Sequence, residues 1–390
     1  MLIGIDASRA FRAQRTGTER YALEIIHHLL ALPQATVHRW RLYTDTILSA
    51  DRPIHFGTVS QQKKSREGGW PRSLPAHAEI AHLPGSPIWT HRFLGASIRQ
   101  NPPDVLFIPA HVLPLMLPGL LPPSVVTVHD LGYRHYPGSR SRLERWHLDW
   151  STKWSCYVAN HVIAISQSTA SDLHRFYEVP KEKMSVIHEG LPIQVSGGPK
   201  SNNRRFDLPR PYGLFVGTLQ PRKNLLRLLQ AYAQLCKSER PEWDLVLVGA
   251  KGWLSAEIES MAAELTDAVH MLGYVDDSIM PALFKGARFF AFPSLFEGFG
   301  LPILEANHYG VPVMTANNSS LPEVAGDAAL LVDPLNVDEI ASAMLRLSED
   351  EALRQKLIAA GYENVKRFSW EKAAQETLAV LEKVASQKGR

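Results

Sequence analysis

The sequence predicts an α/β protein made of two doubly wound, parallel-sheet units in series. Three observations support this. Short apolar runs alternate with amphipathic helical stretches along the whole chain, the pattern of repeated βαβ units. Residues 194–210 read QVSGGPKSNNRRFDLPR, a Gly-, Ser-, Asn- and Pro-rich break after which the alternation restarts. The chain has 390 residues, more than one hydrophobic core organises well.

The elements follow in order. Leu2–Asp6 (LIGID) is a first buried strand, and residues 18–32 form a helix with Tyr21, Ile25, Leu29 and Leu32 on one face. A strand is expected at 37–43. Residues 57–77 are polar, with Gly68-Gly69 and a cluster of Lys63, Lys64 and Arg66, and read as a long loop. Strands follow at 105–108, 125–128 and 162–165, continuous apolar runs suited to burial on both faces. The apolar stretch 104–128 contains Pro109, Pro114, Pro118, Pro122 and Pro123, which would break a spanning helix repeatedly. It therefore reads as two strands joined by a Pro-rich loop. In the second unit strands are expected at 213–216, 245–248, 269–272, 289–292, 311–315 and 329–332. Helices are expected at 224–237, 255–264, 278–286 and 301–309, and then at 337–347, 352–367 and 370–385. Open sheets of this kind bind ligands at the carboxyl ends of their strands.

Composition excludes several classes. With 45% hydrophobic and 21% charged residues, the chain can bury a core and is not disordered, collagenous or a coiled coil. Cys156 and Cys236 make no disulfide framework and lack metal or redox spacing, which fits a reducing compartment. The net charge of +3 divides unevenly: 22 Lys and Arg against 15 Asp and Glu in residues 1–200, but 20 against 24 in the remainder. A basic first half suits an anionic lipid surface or an anionic substrate.

Four segments carry chemistry. Glu297-Gly-Phe-Gly-Leu-Pro-Ile-Leu-Glu305 follows an apolar strand and enters a helix at Pro302, giving free backbone N–H groups and a positive dipole end for an anion. Glu297 is expected on the loop and Glu305 in the first helical turn, both facing one mouth. Two acceptor-only carboxylates beside an anion site suit a ligand with phosphate and several hydroxyls. Phe215-Val-Gly-Thr-Leu-Gln-Pro-Arg-Lys-Asn224 ends a strand at Gly217 and opens a helix near Asn224. Cations are unfavourable at a helix entrance, so Arg222 and Lys223 make sense there as a diphosphate clamp. Val125-Val-Thr-Val-His129-Asp130 places a His-Asp pair at a strand's carboxyl end, where it could bind a hydroxyl or move a proton. Arg15-Thr-Gly-Thr-Glu-Arg-Tyr21 opens the first helix; Gly17 permits close backbone approach, and Arg15 and Arg20 are candidate anion contacts.

Together, EGFGLPILE, FVGTLQPRKN and TVHDLGY resemble the retaining glycosyltransferases of the GT-B fold, specifically glycosyltransferase family 4, over nearly the whole chain. The HDLGY segment resembles mannosyl- and rhamnosyltransferases of bacterial polysaccharide assembly. The resemblance implies two Rossmann-like domains facing across a cleft: an acceptor-binding domain over residues 1–195 and a nucleotide-sugar-binding domain over 205–368. It also implies a last helix, 369–390, packed back on the first. By the same resemblance Glu297 would bind donor-sugar hydroxyls and stabilise the reacting centre, and Glu305 would hold the ribose. Arg222 and Lys223 would neutralise the leaving diphosphate, and His129 would touch the donor sugar. Gly217, Gly298, Phe299, Gly300 and Leu301 would meet donor sugar or phosphate, Gly17 would let the first loop approach the phosphates, and Gly273, Tyr274 and Val275 would offer backbone contacts to the base. Arg15, Arg20 and Asp130 fall to the acceptor side. Two departures stand out: the first loop has the single glycine Gly17 where many relatives have more, and Gln167 stands where several have Glu.

The expected reaction is retaining transfer of a hexose, mannose favoured, from a nucleoside diphosphate sugar, GDP-mannose favoured, to a hydroxyl of a glycan or polyprenyl-diphosphate-linked glycan. With no DxD on a strand-end loop, neither metal nor cofactor is expected. The alternatives are a nucleotide-sugar epimerase, a phosphorylase, which would need a pyridoxal Schiff-base lysine that no segment singles out, and a silent partner subunit. A dinucleotide dehydrogenase is disfavoured because no GxGxxG follows a strand, and no nucleic-acid partner is expected. Without an export signal the chain is expected in the cytoplasm, with peripheral contact on the inner face of an anionic membrane through Lys63, Lys64, Arg66, Arg72, Trp70 and Trp89.

Overall fold

The computed structural model describes all residues except 13–15, 47–73, 87, 111, 137, 139–140, 192–207, 209–210, 239–240, 254, 266–267 and 388–390. The chain divides into two units, Met1–Gln194 with Ser369–Arg390, and Val195–Phe368. The basic loop residues Lys63, Lys64, Arg66, Trp70 and Arg72, and also Arg15, lie outside the described residues.

In the first unit the strands are β1 (Leu2–Asp6), β2 (Arg39–Thr44), β3 (Ala78–His82), β4 (Val105–Ile108), β5 (Ser124–Val128), β6 (His161–Ala164) and β7 (Met184–Val186). They form one sheet in the order β3-β2-β1-β4-β5-β6-β7, every pair parallel. The helices are α1 (Gly17–Ala31), α2 (Gly95–Gln100), α3 (Gly132–His135), α4 (Arg142–Val158) and α5 (Gln167–Tyr177). Central strands β4, β5 and β6 are buried at every position, as a sheet covered on both faces requires. The predicted face of α1 is the buried one: Tyr21, Ile25 and Leu29 all pack inward. Trp89 is 5% exposed and sits in the core with Leu94 and Ile98, so it is no interfacial aromatic.

The second unit holds β8 (Tyr212–Val216), β9 (Asp244–Val248), β10 (Val269–Gly273), β11 (Ala287–Phe292), β12 (Val313–Ala316) and β13 (Ala329–Val332). Their order is β10-β9-β8-β11-β12-β13, again all parallel. Its helices are α6 (Leu225–Ser238), α7 (Ala256–Glu264), α8 (Met280–Gly286), α9 (Leu301–His308), α10 (Leu321–Ala325), α11 (Val337–Glu349) and α12 (Glu351–Val365). The final helix α13 (Trp370–Ser386), capped by Ser369, rejoins the first unit and packs on α1, β4 and β5.

In the second sheet the winding direction reverses between β8 and β11, the switch point at whose carboxyl ends open α/β sheets bind ligands. Arg222 and Lys223 follow β8, and Glu297 follows β11. Topology alone therefore brings the two motifs together. Among the described residues no helix is long and apolar enough to cross a membrane.

Candidate active site

Two loops stitched together form the site. After β8, Pro221–Lys223 makes a single 3-10 turn with Pro at its start, and Asn224 adopts the left-handed conformation (φ 62°). The sequence placed the helix start near Asn224; the left-handed residue ends the turn instead, and α6 begins at Leu225. The Asn224 side-chain amide donates to the Pro293 carbonyl (3.0 Å) and the Pro334 carbonyl (2.6 Å), while Leu295 N–H donates to the Arg222 carbonyl (2.9 Å). These bonds fix the β8 loop against the β11 loop.

The clamped loops bring three charges together. Lys223 Nζ lies 2.6 Å from Glu297 Oε1, and Arg222 Nη1 lies 2.7 Å from Glu297 Oε2 and 2.6 Å from the Phe296 carbonyl. Lys223 and Glu297 are both buried, and the ammonium stands 4.8 Å from the centre of the Phe292 ring. Burial alone would raise the Glu297 carboxyl, but the adjacent Lys223 and Arg222 outweigh it and hold the pKa at about 2. Glu297 is thus ionised at neutral pH, and two cations against one carboxylate leave the cluster net positive, as an anion site needs.

The Glu297 loop is braced from β12. Ser320 Oγ lies 2.9 Å from the Glu297 carbonyl and 2.6 Å from the Phe299 carbonyl, Glu297 N–H donates to Ser319 Oγ (3.2 Å), and the Asn318 amide donates to the Leu295 carbonyl (3.0 Å). Sequence reasoning missed residues 318–320. The available signal was a run of small polar residues, Asn317-Asn-Ser-Ser, at the carboxyl end of an apolar strand. Gly300 precedes α9 at φ 120°, a conformation that a side chain would strain, and no side chain caps that helix. Phe299 is buried edge-on to Phe368. Glu305 is the fifth residue of α9, so it sits past the first turn rather than within it. The helix starts at Leu301, so Glu305 stands one turn in from the loop.

Glycines floor the site. Gly217 N–H donates to the Val248 carbonyl and Gly249 N–H to the Gly273 carbonyl, each 2.8 Å, so the ends of β8, β9 and β10 run shoulder to shoulder. A Cβ at Gly249 would stand 1.9 Å from the Gly217 carbonyl oxygen, at φ 151°. Gly249→Ala is therefore expected to cost roughly 2–4 kcal/mol, the range of severe backbone conflicts; thermal melting checks this, and an unchanged Tm contradicts it. Past Gly273, Tyr274 is 75% exposed and Val275 is buried, so Val275 has only its backbone to offer a ligand.

In the first unit Thr16 caps α1 through a capping box with Glu19, and Gly17 is the first helical residue rather than part of a free loop. Glu19 also pairs with Arg9 at 2.7 Å. Arg20 is half-buried in the first turn. Asp130 Oδ1 accepts from Gly132 N–H at 2.7 Å, which makes it a local cap for the turn into α3. His129 is buried, with Nε2 2.9 Å from the Pro109 carbonyl, Nδ1 3.6 Å from Glu189 Oε1 and its ring edge-on to Tyr21. A carbonyl only accepts, so Nε2 carries the proton. Both ring nitrogens face protein groups. Buried Glu189 escaped the sequence reading because it follows a strand of only three residues.

Residues 15–195 match the Glycosyltransferase Family 4 domain, and residues 200–364 match the Glycosyl transferases group 1 domain. The chain is 30% identical over 392 residues to O-antigen chain mannosyltransferase B of Escherichia coli, covering 96% of this chain and 98% of that protein. It is 29% identical over 227 residues to the serotype-specific mannosyltransferase WbdA of Escherichia coli, covering 55% of this chain and 28% of that one. Its fold matches that of sucrose-phosphate synthase from Thermosynechococcus elongatus with a TM-score of 0.74 at 20% identity, covering 99% of both chains. With both halves matched and a relative aligned over nearly its full length, the chain belongs to the group 1, family 4 glycosyltransferases.

Proposed function

We propose that this glycosyltransferase moves mannose from GDP-mannose to a hydroxyl of a glycan or lipid-linked glycan, with retention at the anomeric carbon. The observation that carries the reading is the buried Arg222–Glu297–Lys223 cluster at the switch point of the second sheet. The mannosyltransferase relatives support the sugar.

Transfer forms a bond from the acceptor oxygen to the anomeric carbon and breaks the bond from that carbon to the diphosphate oxygen. The acceptor proton goes to the departing phosphate on the same face. The transition state is oxocarbenium-like, with negative charge growing on the diphosphate. We assign Arg222 and Lys223 to that charge as its electrostatic donors, held beside Glu297 in a water-poor pocket. Ionised Glu297 accepts hydrogen bonds from sugar hydroxyls and lies beside the positive centre; Glu305 serves the ribose. The basic pair does the work of a cation, so no metal is required. His129, held by Pro109 and Glu189, is assigned with the catalytic residues to the donor sugar, and Arg15, Arg20 and Asp130 remain with the acceptor side.

A hydrolysis screen of GDP-, UDP-, ADP- and TDP-sugars, with and without EDTA, tests the reading without knowledge of the acceptor. GDP-mannose is expected to be cleaved fastest, and equally in EDTA. Preferred cleavage of a UDP-sugar, or loss of cleavage in EDTA, overturns the donor or the metal-free assignment respectively.

A further inference from the structure

Helix α4 is built inside out. Its buried face consists of Ser151, Thr152, Ser155 and Cys156, whereas Trp146 is 63% exposed, Trp150 42% and Tyr157 75%. Burying hydroxyls and exposing indoles reverses the usual order of helix faces. On the small face the Ser151 and Ser155 hydroxyls donate to the carbonyls of Leu148 (3.1 Å) and Ser151 (2.8 Å), and the small side chains let the helix sit against β5. The aromatic face is ordered. Trp146, Trp150 and Trp154 stack along the axis with ring centres 6.4 and 6.3 Å apart and planes within 14° and 8°, and Tyr157 follows at 6.5 Å.

Further large apolar side chains are exposed near the helix. The Pro-rich segment after β4 lies against α4, where Leu113 N–H donates to Ser155 Oγ (2.9 Å). That segment leaves Leu115, Leu117 and Leu120 exposed, and Leu143 is exposed in the first turn of α4. An exposed row of large aromatic side chains of this kind marks an interaction site. Charge specifies the partner. At about 100° per residue, Arg142 and Lys153 fall within about 40° of Trp146 on the same face, and both are exposed. The nearby acid Asp149 is paired with Arg134 and Tyr177.

We infer that this face of the first unit docks on an anionic phospholipid bilayer, with the indoles at the headgroup boundary and Arg142 and Lys153 against lipid phosphates. Indole and phenol rings join an apolar body to a polar tip, which is why they favour that boundary. Basic side chains beside them add attraction to an anionic leaflet. The cations Arg142 and Lys153 beside the aromatic row favour an anionic lipid surface over a neutral glycan.

Flotation of the full chain with phosphatidylglycerol-containing vesicles and with pure phosphatidylcholine vesicles tests this. Binding to the anionic vesicles is expected, with tryptophan emission quenched by brominated lipid. The double substitution Trp146→Ser/Trp150→Ser should lower the bound fraction about ten-fold or more while leaving thermal melting unchanged, because both rings are exposed. Arg142→Gln/Lys153→Gln should remove most of the preference for anionic lipid. Three results overturn the inference: no vesicle binding by the unsubstituted chain, binding indifferent to the tryptophan substitutions, or self-association without lipid that those substitutions abolish, which would make a second copy the occupant. The assay uses neither donor nor acceptor, so its failure leaves the proposed transfer untouched.

Discussion

Lys223→Ala is expected to lower turnover on the sugar nucleotide by ~10²–10³, the loss seen when one preorganised donor to a developing oxyanion is removed. The same change alters folding energetics. It strips one of two counter-charges from a buried carboxylate, and breaking a buried pair in this way costs roughly 3–5 kcal/mol. The pH dependence has a definite sign. In the unsubstituted protein the Glu297 pKa of about 2 lies below its ordinary value of 4.5. Its contribution to stability is therefore complete above about pH 4.5 and is lost as pH falls toward about 2. With Lys223 gone the carboxyl rises, so the acid limb of unfolding should begin at a higher pH. Equilibrium unfolding from pH 7 downward reads this directly. A variant whose turnover, stability and acid limb all match the parent would remove Lys223 from both roles.

Deletion of residues 369–390 is expected to abolish the native first unit. Helix α13 buries Trp370, Leu378, Leu381 and Val384, with Trp370 edge-on to Tyr21 at 5.5 Å. Four large side chains at about 1.5–3 kcal/mol each represent roughly 6–12 kcal/mol. A whole domain is stable by only about 5–15 kcal/mol. The helix removed also covers α1, β4 and β5, so an apolar face would open at the centre of the sheet. Loss of one unfolding transition, with dye binding to exposed apolar surface, is the expected outcome. A truncated chain with both transitions intact would show that α13 is dispensable.

Much of this architecture is written in hydrophobic periodicity, and its gaps have physical causes. Central strands such as β4 and β9 are continuous apolar runs because both faces are buried, and they are readable for that reason. Edge strands β3 (AEIAH) and β7 (MSV) are half-exposed and short, and they carry no such run, so both go unread. The first-unit strand expected from residue 37 begins at Arg39, because Pro33–Val37 closes a 3-10 turn instead. Helix α4 is invisible to the same reading because its periodic aromatic stripe is the exposed side and its buried side is small and polar. At the site, the loops stand out because they join Gly and Pro, ordinary at strand ends, to paired charges at a helix entrance. The bracing by Asn318, Ser319 and Ser320, and the contact of Glu189 with His129, depend on which strands lie side by side. Local sequence does not hold that information.

The central claim is that Lys223 stabilises the leaving diphosphate rather than merely holding Glu297 in place. The direct measurement compares parent and Lys223→Ala on GDP-mannose and on α-mannosyl fluoride, whose small leaving group needs no diphosphate clamp. The prediction is a deficit of ~10²–10³ on GDP-mannose and less than about ten-fold on the fluoride. Equal deficits on both donors would contradict it and leave Lys223 as a structural partner of Glu297.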